Sequence, residues 1–122
     1  MQPIVKPYQP ESEYYFDEGC YIIEYSNDNA DPEVSIARAM VKPGKTTRWH
    51  RLAGTTERYV ITEGSGLVEV GDLTPTEVKP GDTVIIPPDC RQRITNNGST
   101  DLVFLAICSP RFLPSCYEDI DS

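Results

Sequence analysis

Glycine or proline interrupts the apolar sequence of this chain roughly every eight to twelve residues. Eleven prolines and eight glycines in 122 residues are too many for a helical bundle, because both residue types disfavour helices. Between the interruptions lie short runs rich in strand-favouring residues, including 35–41, 46–52, 57–62, 83–86 and 102–108. This spacing predicts an all-β protein whose short antiparallel strands form a sandwich or a barrel.

The length and the charge distribution indicate one structural domain with two distinct ends. We expect residues 1–34 to form an N-terminal arm or edge strands, 35–110 the barrel core, and 111–122 an acidic tail. The net charge of −8 disfavours a nucleic-acid partner, since phosphate binding needs a basic surface. No apolar stretch reaches the ~18 residues of a membrane-spanning helix, and the N-terminus lacks the apolar core of a signal peptide. We therefore expect a cytoplasmic protein with reduced cysteines and no membrane partner.

The alternation of side chains along a strand predicts which residues face the barrel interior. If His50 faces inward, the residues two positions away on the same strand do so as well, and the same holds around Glu57 and Gln92. The predicted interior contains Arg48, His50, Leu52, Glu57, Tyr59, Cys90, Gln92 and Ile94.

The polar members of this set have structural as well as chemical interpretations. A lone histidine on a strand is more often a hydrogen-bonded structural residue than a ligand. A buried glutamate near an arginine is more often an ion pair than a catalyst. Their joint placement favours a site, because His50, Glu57 and Gln92 would converge if the sheet curls into a barrel.

Two stretches of the chain resemble the signature motifs of the cupin superfamily. The first motif is Gly, five residues, His, one residue, His, three or four residues, Glu, six residues and Gly. The second is Gly, five residues, Pro, one residue, Gly, two residues, His, three residues and Asn. The matching positions here are Gly44, His50, Glu57 and Gly64, then Gly81, Pro87 and Asn96. The departures are Leu52 and Gln92 in place of histidines, and Asp89 in place of a glycine.

The resemblance implies a double-stranded β-helix (jelly-roll) barrel, often a homodimer, that binds a small molecule. In active members of the superfamily, three histidines and one glutamate hold a metal ion. The corresponding His50, Glu57 and Gln92 could hold Fe²⁺, Mn²⁺, Ni²⁺ or Zn²⁺ at three corners, with Gln92 offering a neutral carbonyl oxygen. Leu52 offers no donor and would line the ligand pocket.

Two enzymatic functions are compatible with this resemblance. The first is a metal-dependent isomerase, lyase or dioxygenase acting on a small polar or anionic metabolite. In it, Arg48 would bind a carboxylate or phosphate and Tyr59 would donate a proton or a hydrogen bond. The second is a metal-free acid/base enzyme similar to the cupin-fold sugar epimerases. In it, His50 would be the base, Tyr59 the acid and Glu57 the carboxylate that orients the histidine.

The third function is a non-catalytic barrel that binds a small molecule or dimerises. Leu52 and Gln92 favour it, because they replace two metal ligands. Cys90, predicted to face inward near His50, would supply a reactive thiol or a ligand for a soft metal, but a cysteine next to a turn is more often structural. The sequence leaves open whether the chain is an enzyme.

Overall fold

The computed structural model describes all 122 residues, Met1 to Ser122. It contains eleven strands and two single-turn 3₁₀ helices, Pro10–Ser12 and Pro114–Cys116, so the prediction of an all-β fold is confirmed. None of its helices has the length and apolar character needed to span a membrane. The strands are β1 (Tyr14–Phe16), β2 (Cys20–Ser26), β3 (Ser35–Val41), β4 (His50–Leu52), β5 (Thr56–Glu63), β6 (Gly66–Val70), β7 (Thr76–Val78), β8 (Thr83–Ile86), β9 (Gln92–Thr95), β10 (Leu102–Ser109) and β11 (Tyr117–Asp119).

The strands form two antiparallel sheets. The larger sheet has the order β1-β2-β3-β10-β5-β8, and the smaller sheet has the order β11-β4-β9-β6-β7. Neighbouring strands are often distant in sequence: β3 pairs with β10 so that Val41 lies opposite Leu102. Such long-range pairing wraps the chain around a common interior, which is how a jelly roll closes.

Apolar side chains from both sheets fill the interior. Burial alternates along β5, β6 and β9, as expected for strands that present one face to a core. Ile61 and Leu102 from the larger sheet and Ile94 from the smaller one are almost completely buried and belong to one cluster. Burial of each side chain of this size contributes about 1.5–3 kcal/mol to stability. The packed cluster therefore holds the two sheets together.

Both ends of the chain contribute strands to the sheets. β1 and β2 extend the larger sheet beyond β3. β11 pairs with β4 at the edge of the smaller sheet, with Tyr117 opposite Leu52 and Asp119 opposite His50. The acidic C-terminal segment is thereby held against the strand that carries the histidine.

Four motif positions have a left-handed backbone conformation, and Gly64 and Asp89 are two of them. Gly64 has a φ of +78°, and a Cβ atom there would lie 2.5 Å from the carbonyl oxygen of Asp101, so glycine is required. Asp89 replaces a motif glycine and has a φ of +63°, a conformation that aspartate adopts more readily than most residues. Its N–H donates to the Leu52 carbonyl at 3.0 Å, and its carboxylate accepts from the Gly54 N–H at 3.3 Å. The substitution thus preserves the turn and ties it to β4.

Asn96, the last motif residue, is a fully buried amide that joins three segments. Its Nδ2 donates to the carbonyl oxygens of Val41 and Thr100, both at 2.8 Å, and its Oδ1 accepts from the Gly98 N–H at 2.9 Å. A buried carbonyl that loses its donor costs about 1–3 kcal/mol. Asn96 therefore holds the loop after β9 against the end of β3.

We predict that Asn96→Ala lowers the free energy of unfolding by about 2–4 kcal/mol, because the buried Val41 carbonyl and the partly buried Thr100 carbonyl both lose their donor. Urea denaturation followed by the fluorescence of Trp49, the single tryptophan, measures the change. The adjacent Asn97 is exposed, so Asn97→Ala should change the free energy by less than about 0.5 kcal/mol. Equal effects of the two substitutions would contradict this account of the motif.

Candidate functional site

A cavity of about 60 Å³ lies inside the barrel, bounded mainly by β2, β3, β4, β5 and β10. It has room for about four to six water molecules, taking about 10–15 Å³ for each. Three glutamates and the single histidine belong to a wall that is otherwise largely apolar. The aromatic residues of the wall are Tyr14, Phe16, Tyr59, Phe104, Phe112 and Tyr117.

The histidine is held by an ion pair within the cavity. Glu18, from the turn between β1 and β2, places Oε1 2.8 Å from the Nε2 of His50. The Nδ1 of the ring lies 2.7 Å from the Arg48 carbonyl oxygen, which requires a proton on Nδ1. The Tyr117 ring stacks on the imidazole with centroids 5.2 Å apart. Burial by itself lowers the pKa of His50, but the hydrogen bond and charge of Glu18 outweigh it and raise the pKa to about 9. At neutral pH the pair is therefore an imidazolium and a carboxylate.

Glu57 is the second buried carboxyl group of the site. It lies on β5, opposite Cys108 of β10, and only 8% of its surface is exposed. Its Oε2 contacts the Cys108 thiol at 3.7 Å, whereas its Oε1 has no hydrogen-bond partner. Burial and the nearby charge of Glu18 raise the pKa of Glu57 to about 7, although the charge of His50 and the proximity of the Gln92 amide and the Cys108 thiol act in the opposite direction. The Gln92 amide is near Glu57 but does not meet hydrogen-bond geometry with Oε1. An unpartnered buried carboxyl oxygen is unfavourable for folding, so its position needs another explanation.

Tyr59 and Gln92 form a third buried group. The Tyr59 hydroxyl donates to the Gln92 Oε1 at 2.5 Å, and Gln92 lies directly opposite His50 in the pairing of β9 with β4. Burial, reinforced by the charges of Glu57 and Glu18, raises the pKa of Tyr59 well above its ordinary value. A phenol with a raised pKa is a poor proton donor, so Tyr59 is better suited to holding Gln92 in place.

The structure brings together most of the residues predicted to face inward. His50, Glu57, Tyr59 and Gln92 are buried, and Leu52 forms part of the apolar wall. The common interior position of these residues follows from the alternation of side chains in β4, β5 and β9.

The prediction that Arg48 faces the interior is wrong, and Cys90 packs against the core without reaching the cavity wall. The segment before His50 is not regular strand: Thr47 is buried by bonds to Ile94, so Arg48 points outward. Its guanidinium is 2.7 Å from Asp119, and 43% of its side chain is exposed. Cys90 precedes β9, packs against the edge of the core and is not part of the cavity wall.

Two site residues lie outside the motifs and were missed by sequence reasoning. Glu18 precedes a glycine turn, and Tyr117 lies in the C-terminal segment. Both reach His50 through pairings between residues far apart in the chain, β1–β2 with β3 and β11 with β4. Only the concentration of acidic and aromatic residues at the two ends of the sequence hinted at their presence.

The expected metal-ligand set does not fit this arrangement. Both ring nitrogens of His50 have protein partners, the Gln92 Oε1 accepts the Tyr59 hydroxyl, and Leu52 has no donor. No three side chains among His, Cys, Asp and Glu are grouped so that they could share an ion. The side chains would have to exchange several partners before they could bind a metal, so we derive no chemistry through one.

Comparisons with known proteins agree with the fold. A family model described as a cupin domain matches residues 37–108. The uncharacterized protein MJ1618 of Methanocaldococcus jannaschii is 34% identical over 99% of this chain and 95% of its own length. A Klebsiella pneumoniae protein with a double-stranded β-helix domain superimposes with a TM-score of 0.78 at 13% identity, covering 98% of this chain and 100% of that one. Pac13 of Streptomyces, described as a nucleoside dehydratase, gives a TM-score of 0.78 at 17% identity, covering 97% and 92%.

The first prediction from this geometry concerns the charge of the histidine. His50 is the only histidine, so its ring signals in a nuclear magnetic resonance titration need no assignment by mutation. We expect a midpoint near pH 9 in the native protein. In Glu18→Gln the midpoint should fall well below that of the native protein, because the lowering effect of burial is then opposed only by the Arg48 carbonyl and the charge of Glu57. The exposed Glu77→Gln serves as control and should leave the midpoint unchanged; a native midpoint near 6.5 would refute the ion pair.

The second prediction concerns stability and Glu57. A carboxyl group whose pKa is raised from 4.5 to about 7 on folding destabilises the protein progressively between these pH values. The penalty is absent below pH 4.5 and amounts to about 3 kcal/mol above pH 7. Glu57→Gln removes it, so the unfolding free energy of the variant relative to the native protein should rise by that amount across this range.

Urea denaturation at several pH values measures the effect. The matched control, Glu77→Gln, changes an exposed carboxyl group and should give a difference that does not depend on pH. Parallel stability curves for the native protein and Glu57→Gln would show that the carboxyl group is not held in a destabilising environment.

Proposed function

The chain belongs to the cupin domain family, and we propose that it binds a small molecule in its cavity and that Glu57 removes a proton from this molecule and returns it. The observation that carries the proposal is the buried Oε1 of Glu57, which belongs to a residue of the cavity wall and has no partner in the protein. A ligand in the cavity would supply the missing partner. The raised pKa of this carboxyl group, about 7, suits an acid/base that works near neutral pH.

Glu57 is a better proton carrier than the two residues first expected to act. A base needs a free lone pair, and both nitrogens of His50 are engaged by Glu18 and Arg48. An acid needs a proton it can release, and the pKa of Tyr59 is raised by burial. In this proposal, Glu18 holds the His50 imidazolium in place near Glu57, and Tyr59 orients Gln92.

The reaction class that fits is an isomerisation or an elimination. In both, a carboxylate removes a proton from the ligand, and the resulting acid returns it to another carbon or to the departing group. Pac13, which shares the fold, is described as a dehydratase, and dehydration is an elimination of this kind. The proposal requires no metal, because Glu57 and the fixed imidazolium supply the proton acceptor and the positive charge.

A non-catalytic ligand-binding barrel is the second candidate. The replacement of two motif histidines by Leu52 and Gln92 favours it. It accounts less well for Glu57, because a cavity that only binds gains little from an acid whose burial opposes folding.

Hydrogen exchange into the ligand tests the proposal. The protein, freed of metal ions by exhaustive chelation, is incubated in heavy water with a panel of small alcohols, aldehydes, ketones and amines. Nuclear magnetic resonance then follows deuterium incorporation and elimination products. We expect at least one compound to exchange or react, and Glu57→Gln to slow that step about 100-fold or more.

One control variant and two contrary outcomes complete the test. Glu77→Gln should retain the full rate, since this carboxyl group is exposed and outside the cavity. Compounds that bind without exchange or reaction would overturn the proton-transfer proposal in favour of a binding barrel. A rate that appears only after a metal ion is restored would overturn it in favour of a metal-dependent enzyme.

A further inference from the structure

We propose that the ligand of this cavity is a small organic cation, a protonated amine, bound by Glu57 and the surrounding aromatic rings. The inference rests on the proposed function in so far as both place the ligand in the same cavity. It goes further in naming the chemical class that the cavity selects, and it reverses the expectation of an anionic metabolite.

The charges that face the cavity are predominantly negative. Glu18, Glu24 and Glu57 line it, whereas no lysine or arginine does. Glu18 is balanced by His50, and Glu24 is exposed to solvent, where its Oε1 accepts from the Asn27 amide at 3.1 Å, so Glu57 is the buried carboxylate without a counter-charge of its own. Arg48, the residue first expected to bind an anion, is paired with Asp119 at the surface. An anionic ligand would therefore meet the unpaired carboxylate of Glu57, and a cation would neutralise it.

The partner that Glu57 lacks is a hydrogen-bond donor. Its Oε2 is in contact with the Cys108 thiol, and its Oε1 has no donor. An ammonium group offers three N–H donors, so it can bond to this oxygen while supplying the opposite charge. A neutral hydroxyl can make the bond but leaves the charge uncompensated.

The wall of the cavity suits the rest of such a ligand. Six aromatic residues line it, and two of their contacts are close: Tyr59 to Phe104 at 4.5 Å and Phe16 to Tyr117 at 5.0 Å between ring centroids. The face of an aromatic ring carries negative potential and attracts cations, most strongly away from water. Tyr14, 45% exposed, lies at the edge where a ligand could enter.

The size of the cavity limits the amine to a short chain. Its volume of about 60 Å³ corresponds to a handful of non-hydrogen atoms. A long amine such as an extended polyamine would not be enclosed. We therefore expect a compact, singly charged amine whose alkyl part contacts the rings and whose nitrogen contacts Glu57.

Three probes with one carbon skeleton isolate the effect of charge. Isobutylamine is protonated at pH 7, as lysine is, isobutanol is its neutral analogue, and isobutyrate is an anion of similar shape. Each is titrated into the isotope-labelled full-length protein, and the shifts of amide signals near the cavity give its dissociation constant. We expect the amine to bind about tenfold more tightly than the alcohol, and isobutyrate to bind more weakly than either.

Substitution of Glu57 tests the assigned contact. In Glu57→Gln the affinity for isobutylamine should fall about tenfold or more, while the affinity for isobutanol changes little. Glu77→Gln controls for the loss of a negative charge elsewhere, because this residue is exposed and away from the cavity. It should leave both affinities unchanged.

The outcomes distinguish this inference from the proposed function. Equal affinities for amine and alcohol, or tighter binding of isobutyrate, would overturn the cation inference; proton exchange that depends on Glu57 would then still support the proposed function. The inference would also be overturned if none of the three probes shifted a cavity signal at the highest concentration that the protein tolerates. If the native protein binds the amine selectively but catalyses no proton exchange, it is a cation-binding barrel and not an enzyme.

Discussion

The contact between Glu18 and His50 determines what the interior of this barrel can do. It joins the β1–β2 turn to β4, and it is reinforced by the Arg48 N–H, which donates to the Glu18 carbonyl at 2.8 Å. The His50 side chain is 2% exposed and burial lowers its pKa, so its positive charge depends on the Glu18 carboxylate. Removal of one partner from a buried pair of this kind costs about 3–5 kcal/mol. The pair thus holds the β1–β2 hairpin in place. It also gives the cavity one positive and one negative group whose charges cancel.

The presence of this pair changes the chemistry of the neighbouring residues. Because Glu18 occupies Nε2, the histidine is neither a free ligand nor a free base. Because Glu18 already neutralises the imidazolium, the positive charge is shared between two carboxylates and only partly compensates Glu57. Glu57 consequently keeps a raised pKa and an unpartnered oxygen, in a wall that is otherwise mostly hydrophobic. An aliphatic residue there would stabilise the fold more, and retention of a costly polar group in a cavity is characteristic of functional sites.

The sequence was sufficient for the parts of this structure that depend on local pattern. Strand positions followed from glycine and proline spacing, and the inward positions of His50, Glu57 and Gln92 followed from alternation and the family motifs. Arg48 was misplaced because alternation holds only within a strand, and β4 begins at His50. Glu18 was missed because it lies 32 positions before His50 and approaches it only after the terminal hairpin has packed on β3. Contacts of that range depend on the packed sheets, and no short spacing rule predicts them.

Leu52 and Gln92, which stand in place of the two motif histidines, each have a structural role in the site. Leu52 lies opposite Tyr117 and contributes to an apolar wall. Gln92 accepts a hydrogen bond from the Tyr59 hydroxyl. Both side chains therefore have defined contacts in the interior. A dication and an organic cation would both relieve the negative charge of the cavity, but they make different demands. A metal ion needs several free donors directed at one point, and here His50 and Gln92 are both bonded to other residues of the protein. An amine needs one free acceptor and a surface for its alkyl group, which are the two features that Glu57 and the aromatic rings provide.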